Sequence, residues 1–307
     1  MGQIALGIDI GGTRMRAAVV SPDGQVLSRA ECPTPATSAP EAIVAQVAVI
    51  VRDATHGYEP GAFTSAGVCA PGPLDAQRGI AIATPTIKGF LDYPLRDRIA
   101  AAIGLPTFLD HDGHAAAFGE WKFGAGRGHA NMVFVTISTG IGGGAIVDGA
   151  LHRGRRGMAA HVGHMTIMPE GPRCACGNQG CWEAIAAGPA FSAAARDIGF
   201  ADGAAVFAAV RLGDETAVQL IAEQSRWLGI GLVNLIHIYS PDIVVLGGGV
   251  VAGFDLMQPF LQMQIAQRAM PPFRDVPVVQ GQLMDNAGVI GAAALGQELF
   301  LSGRQGR

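Results

Sequence analysis

Over the first thirty residues the apolar positions come as short unbroken runs rather than as a helical stripe. Residues 4–10 (Ile-Ala-Leu-Gly-Ile-Asp-Ile) and 15–20 (Met-Arg-Ala-Ala-Val-Val) predict two strands, and residues 25–27 open a third after the turn Ser21-Pro22-Asp23-Gly24. The turns between them are too short for a crossover helix, so the spacing predicts hairpins rather than a βαβ unit. Ile43, Val47, Ile50 and Val51 then recur at helical spacing and predict an amphipathic helix over 38–53. A buried strand lies within 64–73 and turns into the loop Pro71-Gly72-Pro73; residues 84–90 make a second loop of the same kind. Both loops are candidates to line a small-molecule cleft. The run 104–109 predicts another buried strand, and the small residues from Ala115 to Trp121 a closely packed helix.

The opening layout then recurs. A strand over 132–137 runs into Ser138-Thr139-Gly140-Ile141-Gly142-Gly143-Gly144, and 145–147 returns before the turn Asp148-Gly149. Ahead of it, Gly124-Ala125-Gly126 and Arg127-Gly128 read as the hinge side of a domain boundary. Two helical stretches cover 189–210 and 215–239, and the apolar strand 241–246 enters Gly247-Gly248-Gly249. A strand near 276–280 precedes a last helix, which is placed to return over the first lobe; residues 302–307 read as a frayed tail.

Composition adds scale and removes alternatives. A chain of 307 residues that is 49% hydrophobic can bury a large core and predicts two lobes. A net charge of −4 argues against nucleic acid or an anionic membrane as the main partner. No apolar run reaches the roughly 20 residues that a spanning helix needs. The start moves straight into a strand without the basic region of a signal peptide, so a cytoplasmic location is expected. Of the five cysteines, Cys174, Cys176 and Cys181 cluster together, which predicts metal binding in a reducing compartment rather than disulfides. Cys69, inside a strand, reads as a small core residue.

Candidate chemistry sits at the turns. Gly11 and Gly12 let backbone N–H groups approach a phosphate, Thr13 adds a hydroxyl, and Asp9 at the strand end can hold Mg²⁺ through water. An ordinary hairpin turn is the alternative meaning. Ser138, Thr139 and the amides of residues 142–144 would form a second set of donors. The triple-glycine turn at 247–249 permits backbone contact with a flat ligand such as an adenosine. Asp112 stands at a strand-to-helix junction, where open α/β sheets place their chemistry, and could act as a general base; alternatively, Asp110 and Asp112 only cap the helix. His164 with Cys174, Cys176 and Cys181 suits tetrahedral structural zinc, with His161 competing as the fourth ligand or facing the cleft. Glu183 follows close behind, near a helix start.

Residues 9–14, Asp112, 138–144, Gly163-His164 with Cys174, Cys176, Cys181 and Glu183, and 247–250 together resemble the ROK family of bacterial sugar kinases over almost the whole chain. The resemblance implies an α/β, two-lobed actin-like ATPase (ribonuclease H-like) fold. Its small lobe would span 1–118, joined by the C-terminal helix at about 291–307, and its larger lobe 119–290, with the zinc knuckle. ATP with Mg²⁺ and a sugar would meet in the interlobe cleft, and Asp112 would take the proton from the sugar's 6-hydroxyl. Asp9, Gly11, Gly12, Thr13 and Arg14 would make one phosphate loop and Thr139, Gly140 and Gly142 the other, with Gly248 and Gly249 near the nucleoside. His164 and Glu183 would contact the sugar, His164 also serving zinc, with Gly72, His111 and His161 as further sugar-site candidates.

Two departures stand out: His111 replaces the family's usual Asn before the base, and His161 replaces the Glu of its Glu-x-Gly-His motif. His161, with residues 33–36 and 181–186, resembles N-acetylmannosamine kinases, whereas 240–250 and 285–291 resemble glucokinases equally well. N-acetylmannosamine is therefore the expected substrate, with glucose or N-acetylglucosamine as alternatives, and a homodimer is expected. A non-catalytic sugar sensor is the competing class; the family's repressors carry a helix-turn-helix before the phosphate loop, for which a loop starting at Asp9 leaves no room.

Overall fold

The computed structural model describes residues 3–303 except 37–38, 60, 85–86 and 88. Ser38, where the first helix was expected to begin, lies outside the described residues. So do Pro85, Thr86 and Lys88 of the second loop, and 304–307 of the tail.

In chain order the first elements are β1 (Ala5–Ile10), β2 (Arg14–Val20), β3 (Val26–Pro33), α1 (Pro40–Ala54) and β4 (Ala66–Ala70). They are followed by β5 (Leu74–Asp75), β6 (Ile80–Ala83), β7 (Leu91–Tyr93), α2 (Leu95–Ile103), β8 (Thr107–His111) and α3 (Asp112–Phe123). Next come β9 (Met132–Ile137), β10 (Ile141–Val147), β11 (Ala150–Leu151), α4 (Trp182–Ala186), α5 (Gly188–Asp197), α6 (Gly203–Arg211) and α7 (Glu215–Tyr239). The chain ends with β12 (Ile243–Gly247), α8 (Phe254–Arg268), β13 (Val278–Gln280) and α9 (Ala287–Leu301). The chain divides into two compact units. One comprises Met1–Arg127, Leu151–Ala160 and Asp285–Arg307; the other comprises Gly128–Ala150 and His161–Met284.

In the first unit a five-stranded sheet runs β3-β2-β1-β4-β8. The meander β1-β2-β3 is antiparallel, as the short turns require, and β4 and β8 add in parallel. A smaller sheet, β5-β6-β7, accompanies it. The apolar face of α1 (Ile43, Val47, Ile50) joins Leu6, Ile8 and Val68 of the strands in one core. Over residues 287–296 helix α9 is apolar on every side and largely buried, with Glu298 and Leu301 exposed in its last turn, and glycines allow its close approach. A Cβ on Gly67 in β4 would stand 1.7 Å from the Ala292 carbonyl oxygen, and one on Gly291 would stand 1.7 Å from that of Ala115 in α3.

The second unit repeats the plan, with strand order β11-β10-β9-β12-β13. Strands β9 and β10 are antiparallel, and β12 runs parallel to both β9 and β13. Two expectations need correction. Gly142, Gly143 and Gly144 are not turn residues but lie in β10, opposite Thr136, Val135 and Phe134 of β9. The stretch 189–210 is two helices. Gly199 takes φ +93 after α5, and Asp202 caps α6 by accepting from Ala205 N at 2.9 Å. Glycine in that conformation ends a helix without strain, and a capping Asp starts the next.

Candidate active site and metal centre

Strand register places a row of functional groups across the first sheet. Asp9 in β1 stands opposite Arg16 in β2 and Cys69 in β4, and Cys69 stands opposite Asp110 in β8. Arg16 Nη1 donates to Asp9 Oδ2 at 3.2 Å, while the Cys69 thiol donates to Asp9 Oδ1 at 3.4 Å. Burial pushes the Asp9 carboxyl above its ordinary value; Arg16 opposes this and the Asp112 charge adds to it. Burial, then the charges of Asp9 and Asp112, drive the Cys69 thiol far up, so it stays protonated and serves as a neutral donor. That agrees with the core reading of Cys69.

Asp110, His111 and Asp112 differ sharply although they are consecutive. Asp110 is buried. Its Oδ1 accepts from His111 N at 2.8 Å and faces His114 Nδ1 at 2.8 Å, while its Oδ2 accepts from Arg153 Nε at 3.0 Å. Burial alone would raise its carboxyl, but His114, Arg153 and the His111 N–H outweigh that and hold it at about 2. It is thus a permanent anion inside the unit, not a cap. The helix cap is His111, whose Nδ1 accepts from Gly113 N at 3.2 Å. Burial, then the His114 charge, lowers the His111 imidazole to about 4 against the opposing pull of Asp110. His111 is therefore neutral at pH 7, with its hydrogen on Nε2, and its 3.3 Å approach to Asp112 Oδ1 is not an ion pair. Asp112, at the first position of α3, keeps its side chain 42% exposed and takes Gly113 N at 2.7 Å. An accessible carboxylate beside a neutral imidazole, at a helix start, can accept a proton from a ligand hydroxyl.

The first glycine turn is braced from outside. Gly11 N donates to Arg14 O at 2.9 Å, Thr34 N donates to Thr13 O at 2.9 Å, and Thr34 Oγ1 donates to Gly11 O at 2.6 Å. Arg14 is half exposed and lies 3.5 Å from Glu31. Gly72 follows β4 in the loop to β5.

In the second unit, Ser138 N donates to Gly140 O at 2.8 Å, which closes the turn holding Thr139. Glu183 reaches this turn: its Oε2 accepts from Ile141 N at 2.9 Å, and a Cβ on Gly140 would stand 2.4 Å from the same oxygen. Gly142 is the first glycine of β10, and Gly248 and Gly249 follow β12. Gly248 takes φ +91, where a Cβ would meet the Ile137 carbonyl oxygen at 2.4 Å.

His164, Cys174, Cys176 and Cys181 bring one ligand atom each within 4.8 Å of one another. The Cys176 and Cys181 sulfurs are 3.7 Å apart, and Cys174 Sγ is 3.7 Å from His164 Nδ1. Zinc–sulfur bonds of about 2.3 Å at tetrahedral angles put sulfurs about 3.8 Å apart, so the donor set fits Zn²⁺. His161 is outside this group, its ring stacked at 6.3 Å on that of His164. The knuckle folds on its own glycines: Cys174 N donates to Asn178 O at 2.9 Å, and Gly180, at φ +72, leaves no room for a Cβ beside the Met168 carbonyl. Trp182 anchors it. That side chain is fully buried, donates from Nε1 to Trp227 O at 3.0 Å, and lies over Gly231 of α7.

Sequence reasoning missed Arg16, Thr34, His114 and Arg153. Only Thr34 carried a signal, lying in the 33–36 stretch. Among the described residues, no helix is long and apolar enough to cross a membrane.

The chain matches the sequence model of the ROK family over residues 5–298. It is 36% identical to a glucokinase of Streptomyces coelicolor, over 96% of this chain and 98% of that protein. It is also 36% identical to an N-acetylmannosamine kinase of Escherichia coli, over 95% and 98%. The crystal structure of a ROK family glucokinase from Streptomyces griseus in complex with glucose and AMPPNP superimposes with a TM-score of 0.85 at 33% identity, covering 96% of this chain and 99% of that one.

Proposed function

The chain belongs to the ROK family and is a sugar kinase of the actin-like ATPase fold, and on that premise we propose that it transfers the γ-phosphoryl group of ATP to the 6-hydroxyl of N-acetylmannosamine. His161 carries the choice of sugar. A carboxylate in its place would accept from two hydroxyls, whereas a neutral imidazole offers one donor and one acceptor, and the donor suits an acetamido carbonyl.

The proposed roles follow the chemistry of each group. Asp112 accepts the 6-hydroxyl proton while the sugar oxygen bonds to the γ-phosphorus; the bond from that phosphorus to the bridging oxygen breaks, and ADP leaves. Neutral His111 keeps a competing cation away from this carboxylate. Asp9, Gly11, Gly12, Thr13 and Arg14 would bind phosphate in the first unit, and Thr139, Gly140 and Gly142 in the second, with Gly248 and Gly249 at the nucleoside. Mg²⁺ would neutralise phosphate charge when bound, with Asp9 as its carboxylate. His161, His164, Glu183, Gly72 and His111 would contact the sugar. The four protein ligands would leave bound zinc no open position, so its part would be to shape the loop bearing His161 and Glu183.

A second reading, glucokinase, is supported by the equal identity to the Streptomyces coelicolor enzyme. An ADP-release assay on glucose, mannose, N-acetylglucosamine and N-acetylmannosamine tests both. The highest kcat/KM is expected on N-acetylmannosamine. A glucose preference overturns the sugar assignment, and no turnover on any sugar overturns the kinase. Light scattering tests the proposed homodimer.

A further inference from the structure

The buried Asp110 and His114, with the partly exposed Arg153, form a group to which the mechanism above gives no task. His114 is 0% exposed. Its Nδ1 lies 2.8 Å from Asp110 Oδ1 and its Nε2 lies 3.0 Å from the Ala159 carbonyl oxygen. A carbonyl oxygen only accepts, and so does an ionised carboxylate, so both ring nitrogens carry hydrogens and the ring is an imidazolium. Arg153 Nε donates to the other carboxylate oxygen at 3.0 Å. Two cations therefore meet one anion, and the two sides come from distant stretches of chain: the β8–α3 junction and the segment Leu151–Ala160.

Beyond Leu151 at the end of β11, that segment carries little regular structure. A single 3₁₀ turn, Arg155–Gly157, is its only helical piece, and Arg156 and Ala160 take φ of +61 and +62. Non-glycine residues persist in that conformation only where their surroundings over-determine it. Its ties include Ala76 N to Arg156 O at 3.0 Å, its own Ala159 N to Arg153 O at 3.0 Å and Met158 N to Arg155 O at 3.1 Å, and a 3.9 Å approach of Arg156 to Asp75. Ala160, in the unfavourable conformation, is followed directly by His161.

We propose that His114 is a positioning residue: as an imidazolium it ties the junction bearing Asp112 to the segment that runs into His161, with Asp110 as its counter-ion and Arg153 as the second tether. The inference rests on the kinase reading, in which His161 serves the sugar. Its consequence falls on sugar affinity rather than on turnover or ATP. Because a glutamine cannot donate from both ends of its side chain, His114→Gln keeps at most the bond to Asp110. We expect the sugar KM to rise about tenfold, the worth of one charge-assisted hydrogen bond, with kcat and the ATP KM within about twofold.

Hydrogen exchange in the full-length protein supplies a readout independent of catalysis. Amides of residues 151–160 should exchange about tenfold faster in the variant while those of β1 and β4 keep their rates. Unchanged exchange with an unchanged sugar KM overturns the proposal, as does a fall in kcat with both KM values constant. If His114→Gln does not fold, Arg153→Met, at a partly exposed site, should shift the same two readouts in the same direction, and no shift there overturns it equally. A wild-type protein inactive on every sugar defeats the kinase reading alone, and the exchange result still decides whether the tie exists.

Discussion

Replacing His111 by Asn separates titration from capping. In the folded protein this imidazole titrates at about 4 against its ordinary 6.5, because burial and the neighbouring His114 charge disfavour its cation. A depressed folded value means the unfolded chain takes up the proton first. The stabilisation is complete above pH 6.5 and is lost progressively as pH falls towards 4. Between pH 7.5 and 5 that loss amounts to about 2 kcal/mol. Asp110 contributes little in this window, since both its folded value of about 2 and its ordinary 3.8 lie below it. Asn is a favoured cap that keeps the bond from Gly113 N while removing the titrating group. Its smaller volume costs about 1–2 kcal/mol at every pH. Urea unfolding at the two pH values should therefore show wild type losing about 2 kcal/mol more than His111→Asn on acidification. Parallel losses would refute the reasoning and mean that the folded His111 takes up its proton over the same pH range as in the unfolded chain.

Asp112→Asn should lower kcat by about 10²–10⁴ while calorimetry finds ATP and sugar bound within severalfold of wild type. Cys176→Ser should reduce bound zinc to well below about one equivalent by elemental analysis and raise the sugar KM. Gly291→Ala drives a methyl group into the Ala115 carbonyl, 1.7 Å away, and should cost about 2–4 kcal/mol in thermal or urea unfolding.

Where local chemistry decides structure, the sequence was sufficient. Met132–Ile137 is an apolar run closed by a Ser-Thr-Gly turn and folds over those residues. Glu215–Tyr239 is bounded by Asp214, which accepts from Ala217 N at 2.9 Å, and by Ser240 in the left-handed region. The metal group was legible because thiolates at that spacing have few other uses. Gly199 broke a helix that periodicity carried through, because Ala and Phe continue the pattern on both sides of it. The roles of Asp110 and Asp112 could not be told apart from sequence. Both flank His111, and only packing gives one of them three donors and leaves the other open to solvent. Arg16, Cys69 and Arg153 became visible through strand register and a return of chain from beyond residue 150, relations to which no local pattern points.

The charge balance at the carboxyl ends of β1 and β8 explains why the three aspartates can coexist. Asp110 is compensated twice, by His114 and Arg153, and costs the fold little once those partners are in place. Asp9 is compensated once, by Arg16, and both burial and the charge of Asp112 still work against its ionised form. Cys69 between them cannot add a third negative charge, because the same burial and the same two carboxylates hold its proton on. The remaining imbalance lies between Asp9 and Asp112. Positive charge delivered near Asp9 relieves that imbalance without touching Asp110, whose own charge is already met. The sheet therefore has one anion neutralised for structure and two held close enough to repel. Of these two, the exposed Asp112 is the one a ligand hydroxyl can reach, and the buried Asp9 is the one that a cation arriving with phosphate would stabilise.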